Sequence, residues 1–262
     1  MQRATGASYP AVSDKIVKET QIPLPPLSEQ RRLAARLDKA DAVRQKSRAL
    51  VDAYAELGRS VFLEVFGDPV RNERGWEVVE LGKLATWKSG GTPSRSNKGF
   101  FNGNIPWYSS GELEAMYVAN SKECITENAL QNSAAKQIEP GSLLLGMYDT
   151  AALKSSITTV PCSCNQAIAF GKINSELANT LYVYFTIQLG KDHYKRMQRG
   201  VRQKNMNLTM IKSLQIPLPP LDLQARFAAM VANIEAQRRL AERQLEAAEA
   251  VFGGVLQGTF ER

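Results

Sequence analysis

Residues 21–27 read Gln-Ile-Pro-Leu-Pro-Pro-Leu, and residues 215–221 read Gln-Ile-Pro-Leu-Pro-Pro-Leu again, 194 positions later (215 − 21). The match does not stop at the prolines. The same shift pairs Gln30 with Gln224, Arg32 with Arg226, and Ala34 and Ala35 with Ala228 and Ala229. Farther on, Ala42, Arg44, Ala53, Val61 and Phe66 meet Ala236, Arg238, Ala247, Val255 and Phe260. One unit therefore occurs twice: a proline-stiffened leader and a run of about forty helix-forming residues. Each proline fixes its own φ and disfavours helix in the residue before it, so Ile22 and Leu24 read as a short strand. Ser28 and Asp222 stand where a helix N-cap belongs.

In the first copy Leu33, Leu37, Ala40, Ser47, Val51, Tyr54 and Val61 fall at alternating three- and four-residue spacing. In the second, Phe227, Val231, Ile234, Ala241, Leu245, Ala248, Phe252 and Val255 do the same. Such stripes suit a two-helix coiled coil, and forty residues make a rod on the order of 60 Å, too long for a crossover helix inside a compact domain. Leu33, Leu37, Val51, Tyr54 and Val61, with Phe227, Val231, Ile234, Leu245, Phe252 and Val255, are the expected interface residues. Arg44 and Arg238 interrupt both stripes at the matched place, either as register-setting buried charges or as rim residues that snorkel.

The chain divides into a leader with the remnant of a preceding domain (1–27), a first spacer helix (28–67), a central domain (71–214) and a second leader and helix (215–262). Under the 194-residue shift Gly6 meets Gly200 and Lys18 meets Lys212, so residues 1–20 correspond to the end of the central domain. That domain reads as α+β. Strand-like runs at 143–147, 157–160 and 167–170 precede a helix over 177–189 and a last loop, KDHYKRMQRGVRQKNMNLTMIKSL. Its charge is uneven: Arg71 to Lys212 hold 17 Lys and Arg against 11 Asp and Glu, most of the net +7. A basic module between near-neutral rods suggests a polyanion partner.

The three cysteines, Cys124, Cys162 and Cys164, lack zinc-finger spacing, and the lone His193 cannot complete a cluster. No metal or other cofactor is expected. The odd cysteine count suits a reducing cytoplasm, and no run reaches the roughly 20 apolar residues of a membrane span.

The run GWEVVELGKLATWKSGGTP from Gly75, the turn NIPWYSSGEL, the loop GVRQKNMN and the IPLPPL leader before a long helix are together similar to the specificity subunits of type I restriction–modification enzymes. The resemblance covers essentially the whole chain. It implies a non-catalytic DNA reader with two target recognition domains separated by two long antiparallel helices. This sequence has two helices but one complete recognition domain, so it resembles a half-size or truncated subunit. The partners implied are double-stranded DNA, DNA methyltransferase subunits and a restriction subunit; pairing with a second copy through the helices would supply the other domain.

Within the last loop, Lys195, Arg196, Arg199, Arg202 and Lys204 can neutralise phosphates, and Gln203, Asn205 and Asn207 can pair with base edges. A second candidate is the turn Lys88, Ser89, Gly90, Gly91, Thr92, rich in backbone donors and flanked by Arg95 and Lys98. Trp107 and Tyr108 are either core aromatics or base contacts, and Lys154 is a weaker candidate. Catalytic motifs are lacking. There is no Asn-Pro-Pro-aromatic tetrapeptide, no Walker A lysine, and Glu80 to Lys83 has the wrong spacing for a nuclease. The alternative function is a coiled-coil adaptor whose basic domain binds nucleic acid nonspecifically.

Overall fold

The computed structural model describes residues 13–22, 24–148, 151–196 and 205–260. In chain order the elements are α1 (Asp14–Glu19), α2 (Leu27–Phe66), β1 (Glu77–Glu80), α3 (Leu81–Leu84), β2 (Lys88–Ser89), β3 (Phe101–Tyr108), β4 (Tyr117–Val118), β5 (Glu123–Ile125), α4 (Glu127–Gln131), β6 (Leu143–Gly146), β7 (Ser155–Thr158), β8 (Ser163–Cys164), β9 (Ile168–Gly171), α5 (Thr180–Arg196), α6 (Leu208–Lys212), β10 (Gln215–Leu218) and α7 (Leu221–Phe260). They fall into two units, residues 1–51 with 240–262 and residues 52–239.

The larger unit is a mixed α+β domain with the inner ends of both long helices. Its main sheet runs β2-β9-β6-β7-β4. Strands β6, β7 and β9 are buried at every position, as expected of strands covered on both faces. Because side chains alternate along a strand, Leu143 and Leu145 enter one core while Leu144 enters the other. The first core closes on an aromatic cluster: Phe62 and Phe66 of α2 meet Tyr182 of α5 and Phe227 of α7 at ring separations of 4.8–5.5 Å. The second core is backed by the sheet β5-β3-β8. The two-stranded β1-β10 sheet closes the domain, with Ile216 paired to Val79 and fully buried. Pro217 has no N–H to offer; its carbonyl accepts instead from the Tyr182 hydroxyl at 2.6 Å.

The helix expected over 177–189 begins at Thr180 and continues to Arg196, taking in the first residues of the expected loop. Turn-forming Asn179 explains the late start: its side-chain oxygen accepts from the Leu181 N–H. The strand expected over 157–160 is displaced to 155–158. Both long helices start one residue early, at Leu27 and Leu221, so Ser28 and Asp222 lie in the first turn and are not caps. The carbonyls of Pro26 and Pro220 accept the first helical bonds, from Glu29 and Gln30 and from Leu223 and Gln224. At matched positions the Gln30 amide donates to the Pro25 carbonyl at 2.8 Å and the Gln224 amide to the Pro219 carbonyl at 2.7 Å.

The repeat extends upstream of the leaders. Ser13 caps α1 by accepting from Ile16, and Asn207, 194 positions on, caps α6 by accepting from Met210. The leaders then diverge. Ile22 and Leu24 are 75% and 78% exposed and form no strand, whereas Ile216 is 0% exposed in β10. A lone strand lacks ladder partners, and the first leader has no strand beside it among the described residues.

In the smaller unit the outer ends of the helices run antiparallel. Arg48 bonds Glu249 at 2.6 Å, and Arg44 lies 4.5 Å over the Phe252 ring, so α7 recedes as α2 advances. Leu33, Leu37, Val51, Leu245, Phe252 and Val255 are half-buried. In the larger unit Tyr54 and Val61 are half-buried, and Phe227, Val231 and Ile234 are buried. Both interrupting arginines carry a carboxylate at i−3: Arg44 pairs with Asp41 at 2.6 Å and Arg238 with Glu235 at 3.0 Å. Each guanidinium thus has a carboxylate on its own helix, which lessens the cost of burying it.

Candidate nucleic-acid interface

Four turns of the central domain are stitched together by hydrogen bonds. Gly90 and Gly91 donate to the Ile168 and Cys164 carbonyls at 3.0 and 2.9 Å. The Thr92 hydroxyl donates to the Gln166 amide oxygen. Met147 donates to the Ala167 carbonyl at 2.9 Å and accepts from Met206 at 2.7 Å. The Gly-Gly-Thr turn, the Asn165-Gln166 turn, the turn entered by Tyr148 and the far end of the basic loop thus share one edge.

Several expected site residues have other duties. A side chain on Gly90 would meet the Asn165 carbonyl at 2.3 Å, and one on Gly91 would meet the Ala134 carbonyl at 1.9 Å. These glycines permit close backbone packing, and their N–H groups are used inside the domain, so they do not cradle an anion. Ser89 accepts from the Lys136 ammonium through its carbonyl at 2.6 Å. Trp107 and Tyr108 are buried, at 3% and 1% exposure. The Trp107 indole donates to the Gly91 carbonyl, and burial pushes the Tyr108 hydroxyl well above its ordinary range. They are core aromatics and not base contacts. Asn207 is consumed as the α6 cap.

Arg95 is exposed but engaged. It forms a forked ion pair with Glu123 and lies 4.5 Å over Phe101 and 5.2 Å over Trp107. The pair holds the Glu123 carboxyl below its usual range. Lys88, Lys98, Arg196 and Asn205 are exposed. Arg199, Arg202, Gln203 and Lys204 lie outside the described residues.

The structure brings Lys154 and Lys195 to a third lysine that sequence reasoning missed. Gln188, Lys191 and Lys195 share a face of α5 at i, i+3 and i+7. Gln188 donates to the Leu153 carbonyl at 3.3 Å, beside Lys154. Half-burial lowers the pKa of the Lys191 ammonium; Lys195 and Lys154 lower it further, and Asp192 opposes them. Lys154 also contacts Glu114 at 3.2 Å. Only the helical spacing could have flagged Lys191 in the sequence, and that required knowing that α5 continues past Leu189. Among the described residues no group of three or more His, Cys, Asp or Glu could hold a metal, and no helix is long and apolar enough to cross a membrane.

A family model described as the type I restriction modification DNA specificity domain matches residues 73–250. The specificity subunit of the Escherichia coli type I restriction enzyme EcoR124I/EcoR124II is 29% identical over 161 residues, covering 59% of this chain and 40% of that protein. The MjaIX specificity subunit of Methanocaldococcus jannaschii is 22% identical over 243 residues, covering 86% of this chain and 56% of that protein. The chain spans about half the length of the curated relatives it matches. Among solved structures, the HsdS subunit of Thermoanaerobacter tengcongensis superposes with a TM-score of 0.55 at 22% identity, over 98% of this chain and 64% of that one. The S subunit of a type I restriction–modification system from M. genitalium gives 0.63 at 13% identity, over 99% and 68%. These likenesses concern the fold, including the long helices beside a mixed domain. With most of its length matched by the family model, the chain belongs to the type I restriction modification DNA specificity domain family.

Proposed function

We propose that this chain is a sequence-specific DNA reader that directs methyltransferase and restriction subunits of a type I restriction–modification system to their site, with no catalytic role of its own. The observation that carries the proposal is the edge where four turns converge, with the exposed Lys88 and Asn205 next to two of them in sequence, in a chain of the specificity-domain family. Such an edge can combine phosphate contacts, which position, with base contacts, which specify. Asn205 and Arg202 are the proposed base readers; Lys195 and its neighbours are proposed to hold the backbone.

The helices carry the assembly role. Besides the inward stripes, Val43, Leu50 and Leu57 recur every seven residues on α2 and are 56%, 41% and 41% exposed. A seven-residue apolar repeat suits a further helix, from a methyltransferase subunit or a second copy of this chain. A second copy, related by a twofold axis, would add a second recognition domain and produce inverted half-sites. Selection from a randomised duplex pool tests the reading. A reader enriches one short sequence, twofold symmetric if the chain pairs with itself, whereas a nonspecific adaptor enriches none.

A further inference from the structure

We propose that Lys154, Lys191 and Lys195 form a clamp for a DNA phosphate, made by the face of α5 and the turn before β7; the site rests on the DNA-reading function proposed above.

The three lysines come from two elements held together by neutral contacts. Gln188 fixes α5 to the turn through the Leu153 carbonyl and is also bonded to the Ser155 hydroxyl. The turn itself is tight. Leu153 is fully buried with φ of 58°, in the left-handed region that is disfavoured for a non-glycine residue. A side chain on Gly146 would stand 2.2 Å from the Ala151 carbonyl. The Lys154 carbonyl accepts from Gly146 at 2.8 Å, which locks the residue beside the strained one. This geometry holds Lys154 in the turn that α5 meets through Gln188, one helical turn before Lys191.

Gathering three like charges is unfavourable unless an anion joins them. Two internal explanations fall short. The negative C-terminal end of a helix favours Lys195 and Arg196, but that attraction fades within the last turn, and Lys191 lies five residues from the end of α5. Glu114 contacts Lys154, but it is 76% exposed, and an exposed pair holds weakly enough for a phosphate oxygen to replace it. Lysine is a compact charge without a fork, suited to a phosphodiester more than to a base edge. An arriving anion would offset the burial and the neighbouring lysines that lower the Lys191 pKa.

Binding of a short random-sequence duplex, measured against salt, tests the clamp on the full chain. Lys154→Gln, Lys191→Gln and Lys195→Gln should each flatten the salt dependence by up to roughly 0.9, the share of the one phosphate that they hold together. Lys191→Arg should keep the slope, and Lys212→Gln, where the lysine packs on Gly82, should leave it unchanged. The selected target sequence should stay the same in all five. Duplex should also shield Lys191 of the unaltered protein from amine acetylation, a readout independent of whether variants fold. Unaltered slopes together with an unprotected Lys191, in a protein that binds duplex, would overturn the clamp alone. Failure of the unaltered protein to bind any duplex would overturn the DNA-reading function and the clamp with it.

Discussion

A methyl group at position 91 would stand 1.9 Å from the Ala134 carbonyl oxygen, closer than packed atoms come. Gly91→Ala should therefore destabilise the central domain by about 1–3 kcal/mol, as overpacking does, and the midpoint of urea unfolding will report it. The cysteines make a second prediction. Burial pushes the Cys162 thiol up to about 12 and Cys164 higher still, while Cys124 is only half-buried. A raised pKa leaves the thiol protonated at pH 8, and the thiolate is the nucleophile. A disulfide reagent at that pH should modify Cys124 in the folded protein and all three cysteines after denaturation; fast reaction at Cys162 would contradict the burial.

Caps and leaders decide matters at the next scale. Asn207→Ala removes the side-chain acceptor that starts α6 and should cost about 1 kcal/mol; the matching change at Ser13, on an element with no buried residue, should leave thermal unfolding of the central domain unmoved. The two long helices, α5 and the strands β6, β7 and β9 were legible from sequence, because helical stripes and apolar strands are local patterns; the short elements α1, α3, α4, α6, β2, β4, β5 and β8 carry too few residues to show one. The duplicated heptapeptide marked where both long helices begin. What sequence could not supply was tertiary. Nothing local says that QIPL pairs in one copy and not in the other, because a strand exists only beside a neighbour. Likewise Gly90, Gly91 and Thr92 read as an anion-binding turn, and only the close approach of Cys164, Asn165 and Ala134 reveals a packing role. Lys154 and Lys195 were both legible as basic residues, but their meeting at Lys191 needed the fold.

For the molecule as a whole, the exposed Val43, Leu50 and Leu57 series is the test of assembly. Leu50→Glu introduces a charge where a helical partner would pack, yet leaves the inward stripe intact. Light scattering should give a dimer, or a complex with the methyltransferase subunit, for the unaltered chain and a smaller species for the variant, with circular dichroism unchanged. A monomer under both conditions would exclude pairing through this face.

The two identical leaders also bear on the order of folding. During synthesis residues 21–24 emerge before β1, and residues 215–218 long after it, so the earlier copy is the first able to occupy the place beside β1. In the observed register it would enclose residues 25–76 in place of residues 81–214, and the shorter loop closes for about 0.8 kcal/mol less. Growth of α2 removes this competitor. A helix of 40 residues is about 60 Å long, while the stretch from Phe66 to Glu77 reaches at most about 40 Å. Once the helix has formed, its own leader can no longer return to β1. Helix α2 thus acts as a ruler that rejects the wrong copy, and Ile22 and Leu24 remain available only to a strand from beyond that reach.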